Sequence, residues 1–159
     1  MKILSVAANN RRHLFEVRTR RANFVFPYAK ADPAPSAGDR IAELFVDPEL
    51  GREAFTFRLA SGAEGSVHID AVLEYNKDPS YMADLALYRL TTEARTRFDS
   101  SGLSTREVAR SLGTSPTQLY RLLDPTNYTK SLRQLLALLY VLGCEVDVAI
   151  TDRPPQVAS

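Results

Sequence analysis

Tryptophan is absent from this 159-residue sequence, cysteine occurs once, and histidine and methionine occur twice each. Neither sign of charge is in excess, since 20 basic side chains face 19 acidic ones for a net charge of +1. Each shortage excludes something. Cys144 alone cannot close an internal disulfide, and with His13 and His68 the only histidines, no Cys/His group stands at metal-ligand spacing. No metal and no cofactor are therefore expected. No apolar run approaches the roughly 18 residues that a membrane span needs, because Leu132 to Leu142 is short and carries Arg133 and Gln134. Met1 to Val25 holds arginines where a secretory signal has a continuous apolar segment, so the expected location is cytoplasmic, with no membrane partner. Seven glycines and nine prolines, with 45% hydrophobic residues, exclude collagen-like and wholly disordered chains. The length suits one large domain or two small ones.

Catalytic groups are missing in the same way. Asp99, Ser100 and Ser101 stand at a helix end without a partner histidine, and Gly62-Ala63-Glu64-Gly65 reads as a hairpin turn that opens no helix, unlike a phosphate-binding loop. Cys144 opens an alternating strand, where a small core residue is the ordinary reading. No catalytic residue is assigned, and the chain is not expected to be an enzyme.

Charge, though balanced overall, is unevenly spread. Residues 1–30 hold seven basic side chains against Glu16 alone, a net +6, whereas residues 31–80 hold four basic against ten acidic, a net −6. Complementary faces of one domain account for such a pair of blocks. Residues 104–133 return to net +3. The first half reads as a small antiparallel sheet, with strands at His13–Arg18, Asn23–Phe26, Arg40–Val46, Ala54–Leu59 and Ser66–Ile69 separated by turn residues. The second half begins with Asp78-Pro79, an N-cap followed by proline at the first helical position. Its apolar residues Ala83, Leu87, Leu90, Ala94 and Phe98 recur at helical spacing up to Gly102.

Three tetrads of one form follow: Ser104 to Glu107, Ser115 to Gln118 and Ser131 to Gln134. In each, the serine accepts from the amide three residues on while the Glu or Gln side chain reaches back, which predicts three helix starts. The last helix closes at Gly143, and Cys144–Ile150 alternates as a strand that pairs with the N-terminal sheet or with its copy in a second subunit. The expected class is α+β. A small N-terminal antiparallel β-sheet domain spans 1–77, a four-helix domain ending in a β-strand spans 78–151, and a flexible tail spans 152–159.

Two short helices, Ser104 to Leu112 and Ser115 to Asp124, joined through Gly113-Thr114, have the dimensions of a helix-turn-helix. Ala109 is small where the second helix crosses, Gly113 suits a positive φ, and Val108, Leu112, Leu119 and Leu122 fall on inward faces. On these residues the segment Leu103–Leu142, about a quarter of the chain, resembles the phage-repressor-like (XRE/Cro-type) helix-turn-helix family, which includes antitoxins. The sheet-forming half is similar to small β-rich bacterial domains of unknown function.

The resemblance implies that the helix from Ser115 enters the major groove of double-stranded DNA. Its outward Pro116, Thr117, Tyr120 and Arg121 would read bases, with Arg121 suited to guanine and Thr117 or Pro116 to a thymine methyl. Gln118 is either an adenine reader or a helix cap, with the cap the preferred role. Thr105, Arg106, Asn127, Tyr128, Thr129, Lys130 and Arg133 would meet phosphates, while solvated arginines, and tyrosines packed on the next helix, are the structural alternatives. Two departures stand out. Thr105 and Pro116 occupy positions where many members carry glutamine, and a strand replaces the usual fifth helix. The implied function is a homodimeric, sequence-specific transcriptional regulator. The alternative is an antitoxin-like module whose N-terminal domain covers a protein partner and whose helix-turn-helix autoregulates.

Overall fold

A computed structural model describes residues 1–154 and shows a mixed α+β chain with two three-stranded antiparallel sheets and five α-helices among them. Two compact units divide it, residues 1–81 and the chain from Met82 onward, so the boundary falls in the first turn of a long helix.

The first unit contains all six strands. The first sheet is β1 (Ile3–Asn9), β2 (Leu14–Thr19) and β3 (Asn23–Pro27), in that order. A 3-10 turn, Tyr28–Lys30, follows it. The second sheet is β4 (Ile41–Val46), β5 (Ala54–Leu59) and β6 (Glu64–His68), and helix α1 (Ile69–Tyr75) comes directly after. Register puts Phe15 opposite Phe26 and Val17 opposite Phe24 in one sheet, and Phe55 opposite Val67 in the other. The buried faces meet through rings: Phe15 lies 4.8 Å from Phe55, 5.3 Å from Phe57 and 4.8 Å from Tyr28, centroid to centroid. Such tilted contacts add to area burial. Phe57 also explains a glycine. Gly65 pairs with it across the ladder, and a Cβ there would lie 2.6 Å from both the Phe57 ring and the Asp32 carbonyl.

Three expectations need correction in this unit. One sheet was expected and two form. β1 was not anticipated, because Ile3-Leu4-Ser5-Val6-Ala7-Ala8-Asn9 does not alternate; remote bonds place it, including Ile3 N donating to Arg52 O at 2.8 Å. Ile69 begins α1 rather than ending a strand, since the His68 ring accepts at Nδ1 from the Asp70 amide and so caps a helix that buries Ile69, Val72 and Leu73. The α1 C-cap, Asn76, has a second task. Its side chain donates to Val25 O and accepts from Val25 N, which covers the outer edge of β3. Nearby Asp78, 8% exposed, is ion-paired with Arg21 and accepts from the Tyr81 amide. Burial alone would raise its pKa, but that amide and the Arg21 guanidinium outweigh it and hold the carboxyl below its usual value.

Four helices follow: α2 (Pro79–Ser101), α3 (Thr105–Leu112), α4 (Pro116–Leu122) and α5 (Leu132–Val141). Leu119, Leu135, Leu138, Val108 and Ala94 make a dry aliphatic core in the second unit. The expected strand Cys144–Ile150 does not form. Gly143, at φ 83°, stops α5 with Cys144 N bonded to Leu139 O, and Cys144 and Val146 pack on the helical core with no strand beside them. Beyond them Val148 and Ile150 stand 78% and 92% exposed. Of the expected flexible tail 152–159, residues 155–159 lie outside the described residues.

Candidate nucleic-acid interface

The geometry around α4 begins with the caps. Ser104 Oγ accepts from the Glu107 amide at 3.2 Å and Glu107 Oε2 accepts from the Ser104 amide at 2.9 Å, a complete box at the start of α3. At Ser115 and Ser131 only half of the expected device forms: each serine accepts from the Gln118 or Gln134 amide, but neither glutamine side chain returns a bond. Gln118 is therefore an uncommitted amide on the exposed first turn of α4, and the preference for a capping role is corrected. Glutamine reaches as far as glutamate but lacks the negative charge that favours the amide cluster at a helix start.

The turn between α3 and α4 is tight. Gly113 adopts φ 75°, its amide donates to Arg110 O, and the Thr114 amide donates to Ala109 O, which uses two last-turn α3 carbonyls before Ser115 caps α4. A side chain at Gly113 would find open space but a strained backbone, so glycine is required by conformation alone. Val108, Ala109, Leu119 and Leu122 are buried and Leu112 is half-buried, which places these core residues on inward faces. The opposite face of α4 carries Pro116, Thr117, Gln118, Tyr120 and Arg121, all exposed, with Tyr120 62% open to solvent. The start of α3 joins this face, since Thr105 Oγ1 lies 3.5 Å from the Tyr120 hydroxyl.

The residues expected at phosphates divide into two groups. Arg106, Tyr128 and Arg133 are exposed, and Thr105 adjoins Tyr120. Lys130, Asn127 and Thr129 instead bond within the protein. Lys130 Nζ donates to Thr91 Oγ1 at 2.7 Å, to Leu122 O at 2.9 Å and to Asp124 O at 2.7 Å, so all three ammonium donors are used. Burial pushes its pKa down and Asp124 opposes that fall. Asn127 donates to Arg121 O and accepts from both the amide and the hydroxyl of Thr129. These three residues fold the α4–α5 loop. A basic or amide side chain in a loop looks the same in sequence whether it faces solvent or staples carbonyls, so the expectation of phosphate contacts is corrected for these residues.

Electrostatics give the face a direction. A hollow of about 240 Å³ beside Tyr120 is lined by Asp99 and Asp124 as well as Arg95, so that flank disfavours phosphate. Asp124 is held ionised by the Thr126 amide and hydroxyl, which lower its pKa. The arginines Arg106, Arg110, Arg121 and Arg133 remain exposed elsewhere on α3, α4 and α5. Among the described residues no group of three or more His, Cys, Asp or Glu could hold a metal ion, and no helix is long and apolar enough to cross a membrane. Comparison of the chain with protein-family models, with curated proteins and with solved structures finds no match.

Proposed function

We propose that this protein is a cytoplasmic, sequence-specific DNA-binding regulator whose second unit is a helix-turn-helix domain with α4 as the recognition helix. One observation carries the reading: a closed aliphatic core behind α3 and α4 leaves Thr117, Gln118, Tyr120 and Arg121 together on one solvent-facing surface. Arg121 donates two hydrogen bonds to a guanine edge, Gln118 pairs with adenine, and Pro116 and Thr117 meet a thymine methyl. Thr105, Arg106, Tyr128 and Arg133 position the protein on phosphates. Seven residues of α4 read few base pairs, so a second copy is needed for useful specificity.

The segment from Cys144 supplies a contact for that copy. Antiparallel self-pairing centred on Val148 sets Val146 opposite Ile150, keeps Asp147 away from its own copy by placing it opposite Ala149, and brings Arg153 diagonal to Glu145. The exposed Val148 and Ile150 are covered by it.

Fluorescence anisotropy against a random duplex pool and DNA from upstream of the protein's own gene, over a salt series, tests the reading. Binding that prefers one site and weakens with salt is expected. Arg121→Ala should weaken specific binding by about 1–3 kcal/mol and relax one base position, whereas Arg133→Ala should weaken all duplexes alike and lower the salt slope by about one. No binding at low salt would overturn it in favour of an antitoxin-like module. For the dimer, Val148→Asp should shift the protein from dimer to monomer in sedimentation; a wild-type monomer at micromolar concentration sinks that contact.

A further inference from the structure

The first unit contains a cleft that DNA binding does not use. It has a volume of about 370 Å³ and lies where the β1–β2 turn, the loop after β3 and the first residues of β4 converge. That size falls within the range of small-molecule pockets, roughly 300–1,000 Å³. The polar groups are of one kind. Arg11 and Arg40 both line it, and neither guanidinium has a carboxylate partner among the described residues. Asn10 spends its carbonyl oxygen on the Tyr28 hydroxyl at 2.7 Å, which leaves its amide hydrogens free. Ser36 Oγ accepts from the Asp39 amide at 3.1 Å, which leaves its own proton to donate. The nearby carboxylate of Asp39 is committed elsewhere, accepting from the Ser61 amide at 2.9 Å and its hydroxyl at 2.6 Å.

The backbone is held for the purpose. His13, another lining residue, adopts φ 55°, a left-handed conformation strained for a non-glycine residue. His13 O accepts from the Tyr28 amide at 2.9 Å, and its ring sits edge-on to Tyr28 with centroids 6.2 Å apart. Strain of this sort persists where surrounding structure over-determines it, and it concentrates at ligand clamps. The remaining wall is apolar, from the Tyr28 ring, Pro35 and Ile41.

We propose that this cleft binds a small organic anion, a carboxylate or phosphate monoester, with its charged group between Arg11 and Arg40 and its apolar body on Tyr28, Pro35 and Ile41. A donor-rich site with two unpaired guanidinium groups leaves an acceptor-bearing, negatively charged ligand as the chemical complement. The site is independent of the DNA reading and stands if that reading fails.

Isothermal titration of the full chain with benzoate, phenyl phosphate and neutral benzamide, at constant ionic strength, tests it. Saturable one-to-one binding of at least one anion, with none for benzamide, is expected. Arg11→Gln and Arg40→Gln should each raise its Kd at least tenfold, whereas Arg20→Gln, exposed and outside the cleft lining, should leave it unchanged. Both arginines are exposed and unpaired, so the variants keep the fold, and wild-type circular dichroism checks this. The site is overturned if neither anion binds, if benzamide binds as well, or if folded Arg11→Gln and Arg40→Gln proteins bind like wild type.

Discussion

The two units build their buried cores from different side chains. In the first, Phe15, Phe55, Phe57 and Tyr28 are buried against one another and join strands far apart in sequence. In the second the buried core is aliphatic, while Tyr120, Tyr128 and Tyr140 stand at the surface. Rings inside a sheet pair contribute area and geometry to stability; amphipathic rings held outside a closed core are suited to contact with a partner. The first core is therefore held by ring contacts between strands, and the second by aliphatic side chains between helices.

The largest break in that contrast comes from Phe57→Ala, which should cost about 3–5 kcal/mol because it removes the ring packed on Phe15 and opens a cavity in the buried core. Hydrogen exchange should show the loss across β2, β4, β5 and β6 but not in α3 to α5; equal loss in both units would show that their cores are one. Next is Lys130→Ala, expected to cost about 1–3 kcal/mol by leaving the Leu122 carbonyl and the Thr91 hydroxyl without a donor and the Asp124 carbonyl with the Asn127 amide alone. Lys130→Met sharpens this: it restores stability only if the stem's packing matters more than the three bonds. DNA affinity measured against salt should keep its slope in either variant, the opposite of what a phosphate ligand would give.

The smallest effect concerns Asp78. Its folded pKa is depressed, so its contribution is present above the unfolded value of about 3.9 and disappears as pH falls through the folded value. Asp78→Asn should therefore destabilise the first unit at neutral pH and flatten the acid limb of its stability curve. An unchanged acid limb in denaturant titrations would assign that limb to other carboxylates.

How much could be read without coordinates differs between the units for a physical reason. The starts of α3, α4 and α5 were legible because a cap and its amide lie three residues apart, and the Gly113 and Gly143 stops are equally local. In the first unit β2 and β5 were legible by alternation, β3 by its aromatic and β-branched residues, and β4 by the turn residues that bound it. β1 and α1 were not, because Ile3 and Ile69 are placed by bonds to Arg52 O and Glu53 O, remote from them in sequence. For the candidate interface, the outward face of α4 followed from helical spacing, but the fates of Lys130, Asn127 and Gln118 depended on where neighbouring carbonyls and amides came to rest.

Composition and local pattern thus determined by themselves that the chain is mixed α and β, that α3, α4 and α5 start at Ser104, Ser115 and Ser131, and which side of α4 faces outward. Tertiary structure alone decided that the strands divide into two sheets, that Cys144–Ile150 joins neither sheet of its own chain, that Lys130 is a staple, and that Arg11 and Arg40 line one cleft. Periodicity and capping act within one helical turn or one strand. Strand partners, buried donors and shared clefts depend on residues that sequence separates and only packing brings together.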